Sequence, residues 1–247
     1  LCVMVNEEDH IRSQAIRPGL DLEGAWSTVS RVDAVFLKSL EFAFDEKLGF
    51  QTACPTNVGT GMRASAMMHL PGLVLTGHMP ALFRAAERLG LTIRGWFGEG
   101  TEHTGSVYQL SNQSTLGENE HQVIQHCQRI IRQLVWSEAN ARKTLVQNKD
   151  SRLLDSVGRA YGTLRFARII SAQEALNCLC MVRLGVCLNL FEELTMDVAN
   201  ELLADVQPGH LQVRCGQKMS RQKRDRIRAE MIRHRLEEAG CRQKSRH

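Results

Sequence analysis

The chain has 247 residues, 43% hydrophobic and 23% charged, with a formal net charge of +4. That balance describes a globular protein of one large domain or two smaller ones, with enough apolar residues for a substantial core. No apolar run approaches the roughly 18 residues of a membrane helix, no secretory leader precedes the first elements, and the eight cysteines show neither framework nor CxxC spacing, so reduced cytosolic thiols are expected.

Residues 1–5 form an apolar run that predicts a strand. It starts without an initiator Met, so the sequence reads as a piece of a longer protein. Asn6, Glu7, Glu8, Asp9 and His10 follow directly, with Arg12 just beyond. Three like charges at a strand end repel one another. Such a cluster is either a solvated loop or the holder of a metal or a cationic substrate. Ser27 or Thr28 can cap a helix reaching about Lys47, with Val32, Phe36, Leu40 and Phe44 at helical spacing and Gly49 as its stop.

Strands are predicted over 50–53 and 62–70, on either side of a turn-rich segment at 54–61. A short amphipathic helix over 78–89 precedes strands at 91–97 and 106–111, which flank a polar loop at 98–105. Beyond that the pattern is helical, over 118–146 and then near 150–160, 171–191, 195–204 and 219–239. The change of pattern places a domain boundary near 150, separating a mixed domain (1–150) from a helical one (151–247).

Several residues could carry chemistry. Gly59 and Gly61 bracket Thr60, so the backbone can turn N–H groups toward an anion, with Arg63 just beyond. A purely structural turn accounts for the same pattern. Cys54 is either a small buried hydrophobe or a thiolate complementing a cation. Arg94 leads into a glycine-rich acidic loop holding Glu99, which suits a lid or a plain hairpin turn. Residues 218–247 hold eleven Lys/Arg against four Asp/Glu, a local +7 that leaves −3 for the rest of the chain.

As a helix, this tail aligns Ile227, Met231 and Leu236 in a stripe suited to docking. It lacks the interleaved aromatics and fold signature of a nucleic-acid binder. Cys178, Cys180 and Cys187 read as core residues of one apolar helix. His121 and His126 have no convincing ligand partners, and no metal site of side chains is expected. Trp136 reads as core or interface.

Taken in order, NEEDHIR (6–12), CPTNVGTGMRAS (54–65), RGWFGEGTE (94–102) and VYQLSN (107–112) resemble the catalytic domain of the ATP:guanidino phosphotransferases, the family of the phosphagen kinases. Further along, Tyr161-Gly162-Thr163-Leu164 with Ala167-Arg168, the 174–185 segment, and Arg224-Asp225-Arg226-Ile227-Arg228-Ala229 are similar to the helical domain of that family's bacterial protein-arginine kinase branch. The resemblance implies an α+β fold, an antiparallel β-sheet flanked by helices and followed by an all-α C-terminal domain. That second domain is implied to serve phosphoarginine binding and dimerisation.

The implied activity is transfer of the γ-phosphoryl group of ATP, with Mg2+ held through the nucleotide, to arginine side chains of proteins. A guanidinium is a poor nucleophile because it is cationic and holds its protons tightly. Carboxylates can orient its planar fork and accept the proton lost on attack. By resemblance, Glu8 is that base, Glu7 supports it or the magnesium shell, and Glu99 is the second carboxylate of the clamp. Cys54 lies beside the guanidinium. Arg12, Arg63 and Arg94, with Thr60 and Gly61, face the phosphates. Arg224, Asp225 and Arg228 match an RDxxRA motif that binds phosphoarginine as an allosteric site.

The same resemblance implies a cytoplasmic homodimer in the stress response. Its implied partners are the Clp protease system, a heat-shock repressor, a zinc-finger-type activator and phosphoarginine-marked proteins, with no membrane and no direct nucleic acid. A catalytically weak phosphoarginine-binding module and a free-arginine kinase are the other readings; the helical C-terminus argues against the latter. The sequence departs from the family pattern in three places. The Ser-x-Arg-x-Arg segment of the first strands is absent, Thr115 stands where metazoan members carry a phosphate arginine, and Met67 replaces their adenine-stacking His.

Overall fold

The computed structural model describes residues 1–95, 105–147 and 151–240. In chain order the elements are β1 (Cys2–Glu7), β2 (Asp9–Gln14), α1 (Leu22–Ser39), β3 (Phe44–Asp45), β4 (Gly49–Phe50), a 3-10 turn (Pro55–Asn57), β5 (Ser65–His69), α2 (Pro71–Leu75), α3 (Met79–Arg88), β6 (Leu91–Gly95) and β7 (Val107–Asn112). Helices alone follow among the described residues: α4 (Glu120–Gln147), α5 (Ser151–Phe166), α6 (Ala172–Cys187), α7 (Met196–Asp205), α8 (Pro208–Arg214) and α9 (Arg221–Glu238). The fold is α+β, with small antiparallel sheets and a helical C-terminal portion. No helix among the described residues is long and apolar enough to cross a membrane.

Two compact units interleave along the chain. One comprises Leu1–Met68, His78–Arg94 and Gln109–Ser137; the other comprises His69–Gly77, Gly95–Tyr108 and Glu138–His247. In the first, β1 and β2 pair antiparallel with Glu7 opposite Asp9, so Glu8 forms the tip of the hairpin. Asn6 and Glu8 both adopt positive φ, 55° and 59°. That conformation is uncommon for residues with a side chain and is easier for Asn than for Glu. A three-stranded sheet runs in the order β5-β7-β6, with β7 central and nearly all of its residues buried.

Helix α1 begins and ends earlier than its periodicity predicts. Asp21, rather than Ser27 or Thr28, is the N-cap, its carboxylate accepting the Gly24 amide at 2.9 Å. The helix stops at Ser39, because Leu40 is extended. Asp45 Oδ1 then accepts the Lys47 and Leu48 amides, an Asx turn that closes the β3–β4 hairpin and removes Phe44 from the helical register. Gly49 therefore serves that turn instead of terminating a helix. Trp136 is 69% exposed, so it is not a core residue.

The core of the second unit is built by α5, α6, α7 and α9, with Val157, Leu164, Leu179, Leu184, Leu202 and Ile232 among its buried members. Helix α6 is buried on most of its circumference. Gly185 permits the close approach of its neighbours, since a Cβ there would lie 2.6 Å from Phe191 Cε2 and 2.7 Å from Val157 Cγ1. On α9 the buried stripe is Arg228, Ala229, Ile232 and Leu236 rather than Ile227, Met231 and Leu236. The one-residue shift puts an arginine in the core. Burial pushes the thiols of Cys127 and Cys178 up to about 11 and that of Cys180 to about 12, as expected of thiols packed among apolar neighbours.

Candidate active site

The hairpin tip and the 54–61 loop are brought together in the first unit. Arg12, across the hairpin, bonds the carboxylate of Glu7 and also reaches Glu8 Oε2 at 3.2 Å. The repulsion expected of the acidic cluster is thus relieved locally by its own arginine. All three side chains retain substantial solvent access.

Asp9 points the other way. Its Oδ1 accepts the Ala53 amide at 2.6 Å and its Oδ2 accepts Asn57 Nδ2 at 3.0 Å. The residues so fastened bracket Cys54, whose Sγ lies 3.0 Å from Thr56 Oγ1. Thr115 secures the loop from the opposite side. Its hydroxyl lies 3.1 Å from Thr56 O and 2.7 Å from Val58 O, and its own carbonyl accepts the Thr60 amide at 2.9 Å. Gly59 (φ 111°) is required at this junction, because a Cβ would sit 2.2 Å from Thr115 O. Asn112, at the end of β7, adds a third tie, accepting the Ala64 amide at 2.8 Å and donating to Met62 O at 3.0 Å.

These bonds revise one expectation. The Gly59 amide is taken by Phe50 O and the Thr60 amide by Thr115 O, so neither is available to an anion. The Thr60 hydroxyl also serves the loop, accepting the Met62 amide at 3.2 Å. Around Gly59 and Thr60 this segment is a braced turn rather than an open nest of N–H groups. Gly61 is exposed, with φ at 59°.

Arg63 and Arg94 are exposed, and neither side chain makes an ion pair or hydrogen bond with a described residue. Two uncommitted cations suit a polyanion such as a nucleotide triphosphate. Glu99, the expected second carboxylate, lies outside the described residues. Met67 is half exposed, on β5.

The RDxxRA residues lie in the second unit, on the first turns of α9. Arg228 is 1% exposed, and its guanidinium donates to Val206 O (2.8 Å), Ile170 O (2.9 Å) and Asp225 Oδ1 (2.6 Å). It is therefore a structural member of the core and cannot meet a ligand directly, contrary to the expected pocket. Arg224, half-buried, donates to Met219 O at 2.8 Å, and Asp225 keeps a partly open carboxylate.

Asp9, Asn57 and Thr115 are the residues the sequence reading missed as organisers. At the sequence level Asp9 is a third acid equivalent to Glu7 and Glu8, because the bonds that single it out run to residues 44 and 48 positions away. Thr115 looked only like the loss of an arginine.

The model for "ATP:guanido phosphotransferase, C-terminal catalytic domain" matches residues 1–141, and that for "Protein-arginine kinase McsB C-terminal domain" matches residues 150–247. With the carboxylate hairpin, the braced cysteine loop and two free arginines within the first of these spans, the chain belongs to the ATP:guanido phosphotransferase family. Among curated relatives, it is 46% identical to a protein-arginine kinase of Syntrophomonas wolfei over 96% of this chain and 66% of that protein. It is 47% identical to one of Symbiobacterium thermophilum over 96% of this chain and 67% of that protein. The chain thus spans about two thirds of the length of the curated relatives it matches. Among solved structures, a taurocyamine kinase from Schistosoma mansoni with bound transition state analog components is 36% identical, covering 56% of this chain and 19% of that one, with a TM-score of 0.49.

Proposed function

We propose that this chain is the greater part of a protein-arginine kinase, transferring the γ-phosphoryl group of ATP to arginine side chains of proteins. The carrying observation is the geometry of the hairpin tip. Glu7 and Glu8 present two carboxylates beside a loop that holds Cys54, and the curated relatives named above are protein-arginine kinases.

In this reading Glu8 orients the substrate guanidinium and accepts its proton, Glu7 supports it, and Glu99 completes the clamp. A guanidinium entering this site competes with Arg12 for the same oxygens. Arg12 is then released toward the phosphates, where Arg63 and Arg94 join it. Magnesium, carried by the nucleotide, supplies further neutralisation of phosphoryl charge. Cys54 lies beside the guanidinium and the exposed Gly61 borders the phosphate side.

Residues 1–150 are read as the catalytic domain and 151–247 as a phosphoarginine-binding and dimerisation domain, with Arg224 and Asp225 facing the ligand and Arg228 acting through Asp225. The protein is read as cytoplasmic, acting in the stress response with the Clp protease system, a heat-shock repressor and its zinc-finger-type activator, on substrates with exposed arginines. The test incubates the chain, and a longer protein containing it, with MgATP and an arginine-rich protein. Acid-labile phosphoarginine is then sought by mass spectrometry. Label that disappears in Glu8→Gln supports the kinase. No label from the longer protein overturns it and leaves a phosphoarginine-binding module.

A further inference from the structure

Helix α6 grips two strand ends within the second unit. Arg183 Nη1 lies 2.7 Å from His69 Nδ1, at the end of β5, while its Nε donates to Asn200 Oδ1 at 2.9 Å. Arginine offers only donors, so His69 Nδ1 must accept, which fixes the imidazole as neutral with its proton on Nε2. Arg142 Nη2 holds the His69 carbonyl at 3.1 Å and pairs through Nε with Glu138 at 2.5 Å. Glu138 in turn accepts the Gly72 and Leu73 amides, at 2.9 Å each.

Six residues before Arg183, Asn177 Oδ1 accepts the Gly105 amide at 2.8 Å, just ahead of β7. Gly105 has φ 67°, and a Cβ there would lie 2.5 Å from Cys180 Sγ, so this backbone meets α6 in direct contact. The Leu70 amide donates to Ser106 O at 2.8 Å and ties the two gripped ends to each other.

An apolar helix can pack without such bonds; Asn177 is exposed and Arg183 half-buried, so neither side chain is needed to fill the core. Apolar contact is non-directional and tolerates sliding, whereas hydrogen bonds fix position. The polar anchors of α6 therefore specify where the ends of β5 and β7 stand. β7 is the central strand that pairs with β6, and β6 carries Arg94.

We propose that Arg183 and Asn177 are positioning residues for phosphoryl transfer, setting from helix α6 the strand ends on which the sheet carrying Arg94 depends. The proposal rests on the kinase reading above. Displacements on the order of 1 Å at a reacting centre cost up to about a hundredfold in rate.

The experiment compares the parent chain with Arg183→Gln and Asn177→Ala, and with Arg183→Lys and Asn177→Asp, which keep the donor or acceptor. Hydrogen exchange by mass spectrometry is read at 69–72 and 105–107, and kcat and KM for MgATP are read separately. The expected result is exchange at both ends about tenfold faster in the first pair. Their kcat falls about tenfold with KM for MgATP unchanged, and the conservative variants recover most of both. Unchanged exchange at the strand ends, or a kcat loss that follows only a global fall in thermal stability, overturns the proposal. If one variant fails to fold, the other decides. A parent chain without turnover but with the exchange pattern intact counts against the kinase reading and not against the anchoring.

Discussion

Asp9 and Asn57 are joined by a 3.0 Å hydrogen bond that fastens the acidic hairpin to the loop holding Cys54. The same carboxylate also takes the Ala53 amide, so one side chain fixes the loop on both sides of the cysteine. Replacing Asp9 with Ala removes the acceptor of that exposed amide and of the half-buried Asn57 side chain, at a cost of about 0.5–1.5 kcal/mol for each bond. The expected outcome for Asp9→Ala is faster alkylation of Cys54 and a kcat lowered about tenfold or more. Alkylation and turnover unchanged from the parent would show that the loop is held without this bond.

Arg12 makes a different prediction, because its partners are solvent-accessible. Exposed ion pairs contribute about 0–1 kcal/mol, so Arg12→Ala should leave the melting temperature within a few degrees of the parent. Its phosphoryl-transfer activity should nevertheless fall by about a hundredfold or more, if the guanidinium both screens Glu7 and Glu8 and serves the phosphates. A large loss of stability with activity retained would make Arg12 a purely structural residue. Thermal scanning alongside the phosphoarginine assay separates the two.

Much of this was legible in the sequence, and the exceptions share a cause. Long periodic segments such as α4 and α6 announced themselves, because one apolar face repeats over many turns. The β3–β4 hairpin did not, since Val32, Phe36, Leu40 and Phe44 continue a helical rhythm that Asp45 interrupts through a local side-chain turn. In the site, the acidic tip and the cysteine loop were visible as motifs. Their joining by Asp9 spans 44 and 48 residues and leaves no local trace. Arg228 misled for a related reason: an arginine counts as polar in any pattern, yet here it lies on the buried stripe of α9 with three oxygen partners.

His69 links the fold to pH. Burial first, and then the charges of Arg183 and Arg142, pull its pKa from 6.5 down to about 3. Arg183, Arg142 and the Arg142-bound Glu138 are the charged groups in this cluster. The unfolded chain therefore takes up a proton near pH 6.5 that the folded chain refuses until about pH 3. This contribution to stability is complete above pH 6.5 and is lost as pH falls toward 3, by about 1.4 kcal/mol per unit from this one group. His69→Asn, which keeps an acceptor for Arg183, should flatten the fall of melting temperature between pH 7 and pH 5. Identical slopes in the two proteins would show that His69 titrates normally.

Arg224 and Arg228 should part company when mutated, although a motif would treat them alike. Removing Arg228 leaves the carbonyls of Ile170 and Val206 without this donor and takes the partner from the partly open Asp225 carboxylate, at about 1–3 kcal/mol for each buried acceptor left unpaired. Arg228→Ala should therefore lower the melting temperature by several degrees and, on the phosphoarginine-binding role proposed above, lose affinity only as folding is lost. Arg224→Ala gives up one bond to Met219 O from a half-buried position, at about 1 kcal/mol, and should weaken phosphoarginine binding measured by calorimetry while the fold stays intact. The contrast follows from depth rather than face: four residues apart, both lie on one side of α9, but Arg228 sits among the buried Ala229, Ile232 and Leu236 while Arg224, one turn nearer the N-terminus, is only half-buried. Equal stability of the two variants would place Arg228 outside the core and return it to the ligand.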